Sequence, residues 1–181
     1  MKLEVKERGS KCFYDEFLSV MMKYKKIIKN PHKKVNRLSK EVIGLMLLSV
    51  FLLIVFIILY KFKGYSIICV VLFSLIFILS IIYYLLMNKR ISFYRNFKGT
   101  IVIEFNNDYI EYLSSKNNYK VDWDNIKSII INKYSICFIP IYSNKVMIGI
   151  STEYKDKVID IIKKLDKENL IIDNSNLYKE N

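Results

Sequence analysis

The chain has 181 residues, a formal net charge of +12 and 52% hydrophobic residues, enough for one compact domain plus a membrane element but not for two sizeable cores. Three cysteines without a C-x-x-C pair, and His32 as the only histidine, remove the usual ligand sets for zinc, haem and iron–sulfur centres. The five glycines are isolated, no phosphate-cradling loop or nucleophile motif occurs, and no cofactor is expected.

The first element is a short strand over Lys2–Lys6, where Leu3 and Val5 alternate with charged residues. Gly9-Ser10 breaks it, and Ser10 is placed to cap a helix. Phe13, Phe17, Val20/Met21, Tyr24 and Ile27/Ile28 then form a helical stripe that Asn30-Pro31 ends. Asp15 and Glu16 near its start, and Lys23, Lys25, Lys26 and Lys29 near its end, suit the helix dipole. Such a stripe either packs on a partner domain or lies on a membrane surface. Residues 32–41 complete an N-terminal segment, 1–41, as a basic connector.

Residues 42–60 and 65–87 contain no formal charge. As helices they extend roughly 28 and 34 Å, against a hydrocarbon core of about 30 Å, and predict a transmembrane hairpin. Lys61, Phe62, Lys63 and Gly64 (61–64) form its turn, with Gly64 able to end a helix and Tyr60 and Tyr65 at the interface. Some forty polar residues precede the first run, which argues for an uncleaved signal anchor. The spans hold no Asp, Glu, Lys, Arg or His, so ion-coupled transport lacks its usual groups. Gly44 offers one position for close helix contact, and Cys69 in the second span is expected to act as a small hydrophobe.

Eight Lys/Arg lie within twenty residues before the first span and four follow the second, against two between them. The positive-inside rule then puts both termini in the cytoplasm of a cell-membrane protein. Residues 1–98 carry 18 Lys/Arg and 5 Asp/Glu, whereas residues 99–181 carry 11 Lys and 12 Asp/Glu. This asymmetry sets topology and also nominates Lys25, Lys26, Lys29, Lys33, Lys34, Arg37, Lys40, Lys89 and Arg90 as lipid-headgroup contacts. With the near-neutral half carrying the folded domain, nucleic acid is not expected as a partner.

After a second basic connector, 88–98, the period becomes two. Strands are expected over Thr100–Phe105, Tyr109–Leu113, 117–123, 127–131, 134–142 and 145–150, with Pro140 marking an edge strand or a bulge. Ser151 or Thr152 caps a last helix, whose stripe is Tyr154, Val158, Ile161/Ile162 and Leu165. A short strand over 170–172 is possible in the terminal segment 169–181, whose end reads as a frayed polar tail. The result is an α+β membrane protein: a two-helix hairpin plus a small antiparallel sheet or partial barrel at 99–168, closed by a C-terminal helix in a pleckstrin-homology-like arrangement. Cys137 falls in an apolar run and reads as buried. Asp122 and Asp124 flank Trp123; they read as a polar turn in preference to a carboxylate pair or metal site, and Trp123 as a structural anchor.

The stretch from Val121 to Ile129, with Trp123, Ile126 and Ile129, resembles the W-x-x-I-x-x-I core of the bacterial YcxB-like family. That resemblance implies an N-terminal strand and helix, a two-span hairpin, a C-terminal pleckstrin-homology-like domain and no catalytic residues. The family's Ile-Pro dipeptide before the last helix is replaced here by Ile148-Gly149-Ile150-Ser151. Two function classes follow. One is a noncatalytic, membrane-anchored binding or scaffold module of the bacterial envelope, in stress response or protection against a toxin. The other is an accessory subunit of a membrane enzyme or transporter complex. Either expects the lipid bilayer plus another membrane or cytoplasmic protein, or self-association, as partner.

Overall fold

The computed structural model describes residues 1–6, 10–63, 67–95, 100–114 and 118–178. In chain order the elements are β1 (Lys2–Lys6), α1 (Lys11–Met22), α2 (Tyr24–Lys29), α3 (Leu38–Lys63), α4 (Ile67–Arg95), β2 (Thr100–Phe105), β3 (Tyr109–Leu113), β4 (Asn118–Asp122), β5 (Ile126–Ile131), β6 (Ser135–Pro140), β7 (Ile148–Ser151), α5 (Lys155–Lys164) and β8 (Ile171–Asp173). They divide into two compact units, Asn36–Phe93 and Met1–Val35 with Tyr94–Asn181. Gly9, Gly64, Tyr65, residues 96–99, Asn117 and residues 179–181, which figure in the expected breaks, turns and tail, lie outside the described residues.

The first unit is built from α3 and α4, of 26 and 29 residues, or roughly 39 and 43 Å at helical rise. Both are long and apolar enough to cross a bilayer. Leu47, Phe51, Leu75 and Leu85 are exposed, and the apolar residues surround each helix without a polar face. The Phe56 and Phe73 rings stack at 4.8 Å. Ser49 and Ser80 each donate to the carbonyl three residues back, at 2.8 Å, which satisfies their hydroxyls within the helix. Lys61 to Lys63 extend α3 instead of forming the expected turn. Outside its own helix backbone and chain neighbours, no atom of the described residues lies within 4 Å of the position a Gly44 Cβ would occupy, so that glycine makes no close contact among them.

The second unit joins both flanks of that helix pair. Two four-stranded sheets run in the orders β1-β2-β3-β4 and β7-β6-β5-β8. β1 pairs antiparallel with β2, with Lys2 opposite Glu104 and an ion pair of 2.8 Å between them. Leu3, Ile103, Phe105, Ile110 and Val121 from the first sheet meet Ile129, Ile131, Ile136, Phe138, Ile148 and Ile150 from the second in one core, which Val158 and Ile162 of α5 complete. β8 lies parallel to β5, so the second sheet is mixed where an all-antiparallel one was expected.

The second sheet is buried on both faces. Ile130, Cys137 and Ile139 point away from the main core and are covered by Val20 and Ile27, with Phe17, Tyr24 and Ile28 packed around them. The amphipathic N-terminal helix therefore docks on the β unit. It divides at Lys23 into α1 and α2, and Ser10 caps α1 by accepting from the Phe13 N–H at 3.1 Å. Gly149 sits opposite Cys137 on this outer face. A Cβ there would stand 2.5 Å from two ring carbons of Phe17, so the missing side chain is what lets α1 lie down.

Trp123 begins a single 3-10 turn through Asn125 and does not belong to β4. It is 3% exposed and donates from Nε1 to the Asn106 carbonyl at 2.7 Å. The register of β5 against β6 then jumps: Ile126 faces Pro140, whereas Ser128 faces Ile139. Lys127 is the extra residue of a bulge. Ile126 and Ile129, three apart, would point to opposite faces of a regular strand; with the bulge both enter the main core beside Trp123. β6 is an interior strand, so Pro140 is tolerated as its last residue opposite that irregularity, not as an edge residue.

Gly149→Ala should lower the stability of this unit by about 1–3 kcal/mol, the range for forcing extra volume into packed space. Phe17→Ala in the same chain should recover part of that loss, measured as a double-mutant cycle on thermal midpoints. Strict additivity of the two losses would show that Phe17 does not set the requirement for glycine.

Candidate functional site

Two polar features attract attention in the β unit. The first is buried. Asp15 and Glu16, read from the sequence as suiting the helix dipole, are each only 1% exposed. Glu16 reaches the turn between β5 and β6, where it accepts from the Tyr134 N–H at 2.9 Å and the Ser135 hydroxyl at 2.7 Å. These charge-assisted bonds compensate the carboxylate's loss of water. The Ser135 oxygen in turn lies 3.5 Å from both Asn132 Nδ2 and Cys137 Sγ.

A Cys–Ser–Glu cluster invites a nucleophilic reading, but its environment opposes one. Burial pushes the Cys137 thiol up to about 12, with the Ser135 hydrogen bond opposing and the Glu16 charge adding to the rise. Such a thiol stays protonated at neutral pH and is a poor nucleophile. The cluster ties α1 to the β5–β6 turn.

From the same cluster a chain of contacts reaches the segment that follows α2. The Tyr178 hydroxyl accepts from the Val35 N–H at 3.1 Å, lies 3.0 Å from the Val35 carbonyl and 3.4 Å from Asn132 Oδ1. Asn174, 2% exposed, donates to the Pro31 carbonyl at 2.7 Å, and its backbone N–H bonds to Ile131. Asn174 and Tyr178 thus make a hydrogen-bonded clasp where a frayed tail was expected. Lys155 adds a 2.7 Å ion pair to Asp173. Burial pushes the Asp173 carboxyl up, but the bonds from Lys155 and Ser175 outweigh it and hold it below its ordinary value.

The structure separates the nominated basic residues. Lys33 and Lys34 are exposed on the clasped segment, with the Lys34 ammonium 5.2 Å from the Tyr178 ring centre. Lys25 and Lys26 are exposed on α2 near the other end of the second sheet, and Lys29 is exposed in its last turn. Arg37, half-buried, and the exposed Lys40 and Lys89 belong to the helix-pair unit; Arg90 lies in α4, with its side chain outside the described set. Asp122 accepts from Asn125 Nδ2 at 3.3 Å across the turn they share, and Asp124 is exposed. No group of three potential metal ligands occurs among the described residues.

The second feature is open. Tyr24 donates to the Pro140 carbonyl at 2.9 Å and fastens the start of α2 to the end of β6. Beside this bond, a groove of about 630 Å³ opens between the α1–α2 corner and the β6–β7 loop. Met21, Met22, Val146 and Met147 give it apolar walls; Lys23, Lys25, Lys26 and Lys145 give it a basic rim. Met21 and Met22 are 44% and 63% exposed although they lie in the packed helix. The sequence reading placed Met21 in the buried stripe and started the last strand at residue 145, which hid the groove; two methionines side by side, one of them off the stripe, were the available signal.

Comparison with family models, curated proteins and solved structures finds no match to this chain.

Burial pushes the Tyr178 phenol up to about 12, against the pull of its bond to Val35 and with the nearby Glu16 charge adding to the rise. The unfolded phenol titrates near 10, so the clasp's contribution is full below pH 10 and is lost as pH rises towards 12. Denaturant midpoints of wild type and Tyr178→Phe, compared from pH 8 to 12, should converge over that interval. A constant difference between them would contradict the clasp's dependence on the neutral phenol.

Proposed function

We propose that this chain is a noncatalytic binding or scaffold module, anchored in the bacterial cell membrane by α3 and α4 with both termini in the cytoplasm. The observation that carries the reading is the pairing of β1 with β2, together with the docking of α1 on the second sheet. Residues before the helix pair and residues after it build one folded unit. If both helices span the bilayer, the two flanks lie on one side, and the excess of flanking lysines and arginines favours the cytoplasmic side.

Two sheets around one core, with α5 packed into it, support a pleckstrin-homology-like description of the β unit. The element order and the Trp123-Ile126-Ile129 spacing support kinship with the YcxB-like family. The basic residues next to the helix pair, Lys33, Lys34, Arg37, Lys40 and Lys89 with Arg90, are suited to anionic headgroups. The β unit is the part that meets a partner, and the hairpin holds it at the membrane.

Exchange of residues 42–87 for an unrelated two-span hairpin tests this division. Purified from membranes at native expression, the exchanged chain should retain the binding partners of the wild type. Loss of every partner on exchange would favour an accessory subunit that docks through its hairpin. In the same cells, with Cys12, Cys69 and Cys137 replaced, Lys63→Cys should react with an impermeant thiol reagent and Lys157→Cys only after permeabilisation; the reverse pattern would overturn the orientation.

A further inference from the structure

We propose that the groove at the α1–α2 corner receives an acidic, amphipathic segment of a partner protein. This rests on the reading of the β unit as a binding module and supplies the chemistry of what it binds.

The walls are of the right kind. Three methionines and Val146 line the groove, and thioether side chains are polarisable and flexible, so they adapt to apolar side chains of varied shape. Tyr142 and Ile141, at 60% and 41% exposure, extend the apolar surface along the β6–β7 loop. A volume of about 630 Å³ accommodates several side chains of a docked segment.

The rim decides the charge of the occupant. Four lysines line the groove and none of its lining residues is acidic. A partner segment with carboxylates along one edge and Leu or Phe along the other matches both features at once, the arrangement of a helix laid in a groove. The seat is also preformed. The Tyr24–Pro140 hydrogen bond holds its floor, and Phe17 lying over Gly149 holds α1 against the sheet behind it. A fixed seat reduces the ordering cost of binding.

Position separates this surface from Lys33 and Lys34, the headgroup candidates beside Val35. The groove lies at the Pro140 end of the second sheet, whereas Tyr178 and Asn132 hold Val35, the last residue of the unit before α3, at the opposite end. Six-residue strands place those ends roughly 17–20 Å apart. A bilayer also presents a flat face, whereas this surface is concave. These two features favour a protein segment over lipid.

The full chain in phosphatidylcholine nanodiscs should be panned against a displayed library of random 16-residue peptides, with the Met22→Glu/Lys26→Glu chain for counter-selection. Both sites are exposed, and unchanged amide protection of residues 126–140 will verify that the variant is folded. Enriched peptides should be acidic, with apolar residues at helical spacing. The consensus peptide should bind wild type at least about tenfold more tightly than either Met22→Glu or Lys145→Glu, and more weakly as salt rises. No enrichment over the variant, or enrichment of basic or uncharged peptides, would overturn the proposal. So would groove-dependent binding of phosphatidylglycerol vesicles without peptide enrichment, which would assign the surface to lipid. Failure here, with partners still retained after the hairpin exchange, would remove the groove and leave the binding-module reading intact.

Discussion

The second sheet has no face that tolerates water. Its three antiparallel strands alternate between residues of the main core and the outward set Ile130, Cys137 and Ile139, all buried. Burying each large aliphatic side chain is worth about 1.5–3 kcal/mol, and leaving the outer set bare would forfeit that contribution and expose an apolar patch. Cover comes from α1 and α2, which belong to the chain before the helix pair. The unit is therefore incomplete until residues on both sides of residues 36–93 have met, and the hydrogen bonds of β1 to β2 and of Glu16 to the β5–β6 turn fix how they meet.

The same constraint accounts for the Trp-Ile-Ile spacing. A tryptophan at the end of the sheets has to enter the core with its N–H satisfied, which the Asn106 carbonyl achieves. The following strand must then deliver an isoleucine at each of two positions three apart, and the bulge at Lys127 resolves the conflict with strand period two. Lys127 gains a further role from its displacement: its ammonium bonds to the Ile28 carbonyl at 3.2 Å, at the C-terminal end of α2. One irregularity thus orders the core on one face and holds the covering helix on the other.

Much of this was legible. Period-two alternation located β1, β2 and β3 with their observed ends, because each has one face in the core and one less buried. The long apolar runs located α3 and α4, and the stripe from Phe13 to Ile28 located α1 and α2. What covered that stripe was left open between a domain and a membrane, although the unbroken apolar runs from Ile129 to Ile131 and Ile136 to Ile139 are the pattern of strands buried on both faces. Asp15 and Glu16 were read only as favourable to the helix dipole, and nothing local signals that Glu16 is satisfied by a turn more than a hundred residues away. The C-terminal clasp escaped for the same reason: Asn174 and Tyr178 act through polar bonds to residues 31 and 35, which leave no period in the sequence.

Hydrogen exchange on the full chain in nanodiscs measures the central claim most directly, that the N-terminal segment is part of the β unit. Amides of β1 and of residues 13–20 should be protected to an extent comparable with those of β5 and β6, and equally in neutral and anionic lipid. Rapid exchange of α1, or protection that appears only in anionic lipid, would contradict the account and return that helix to the membrane surface.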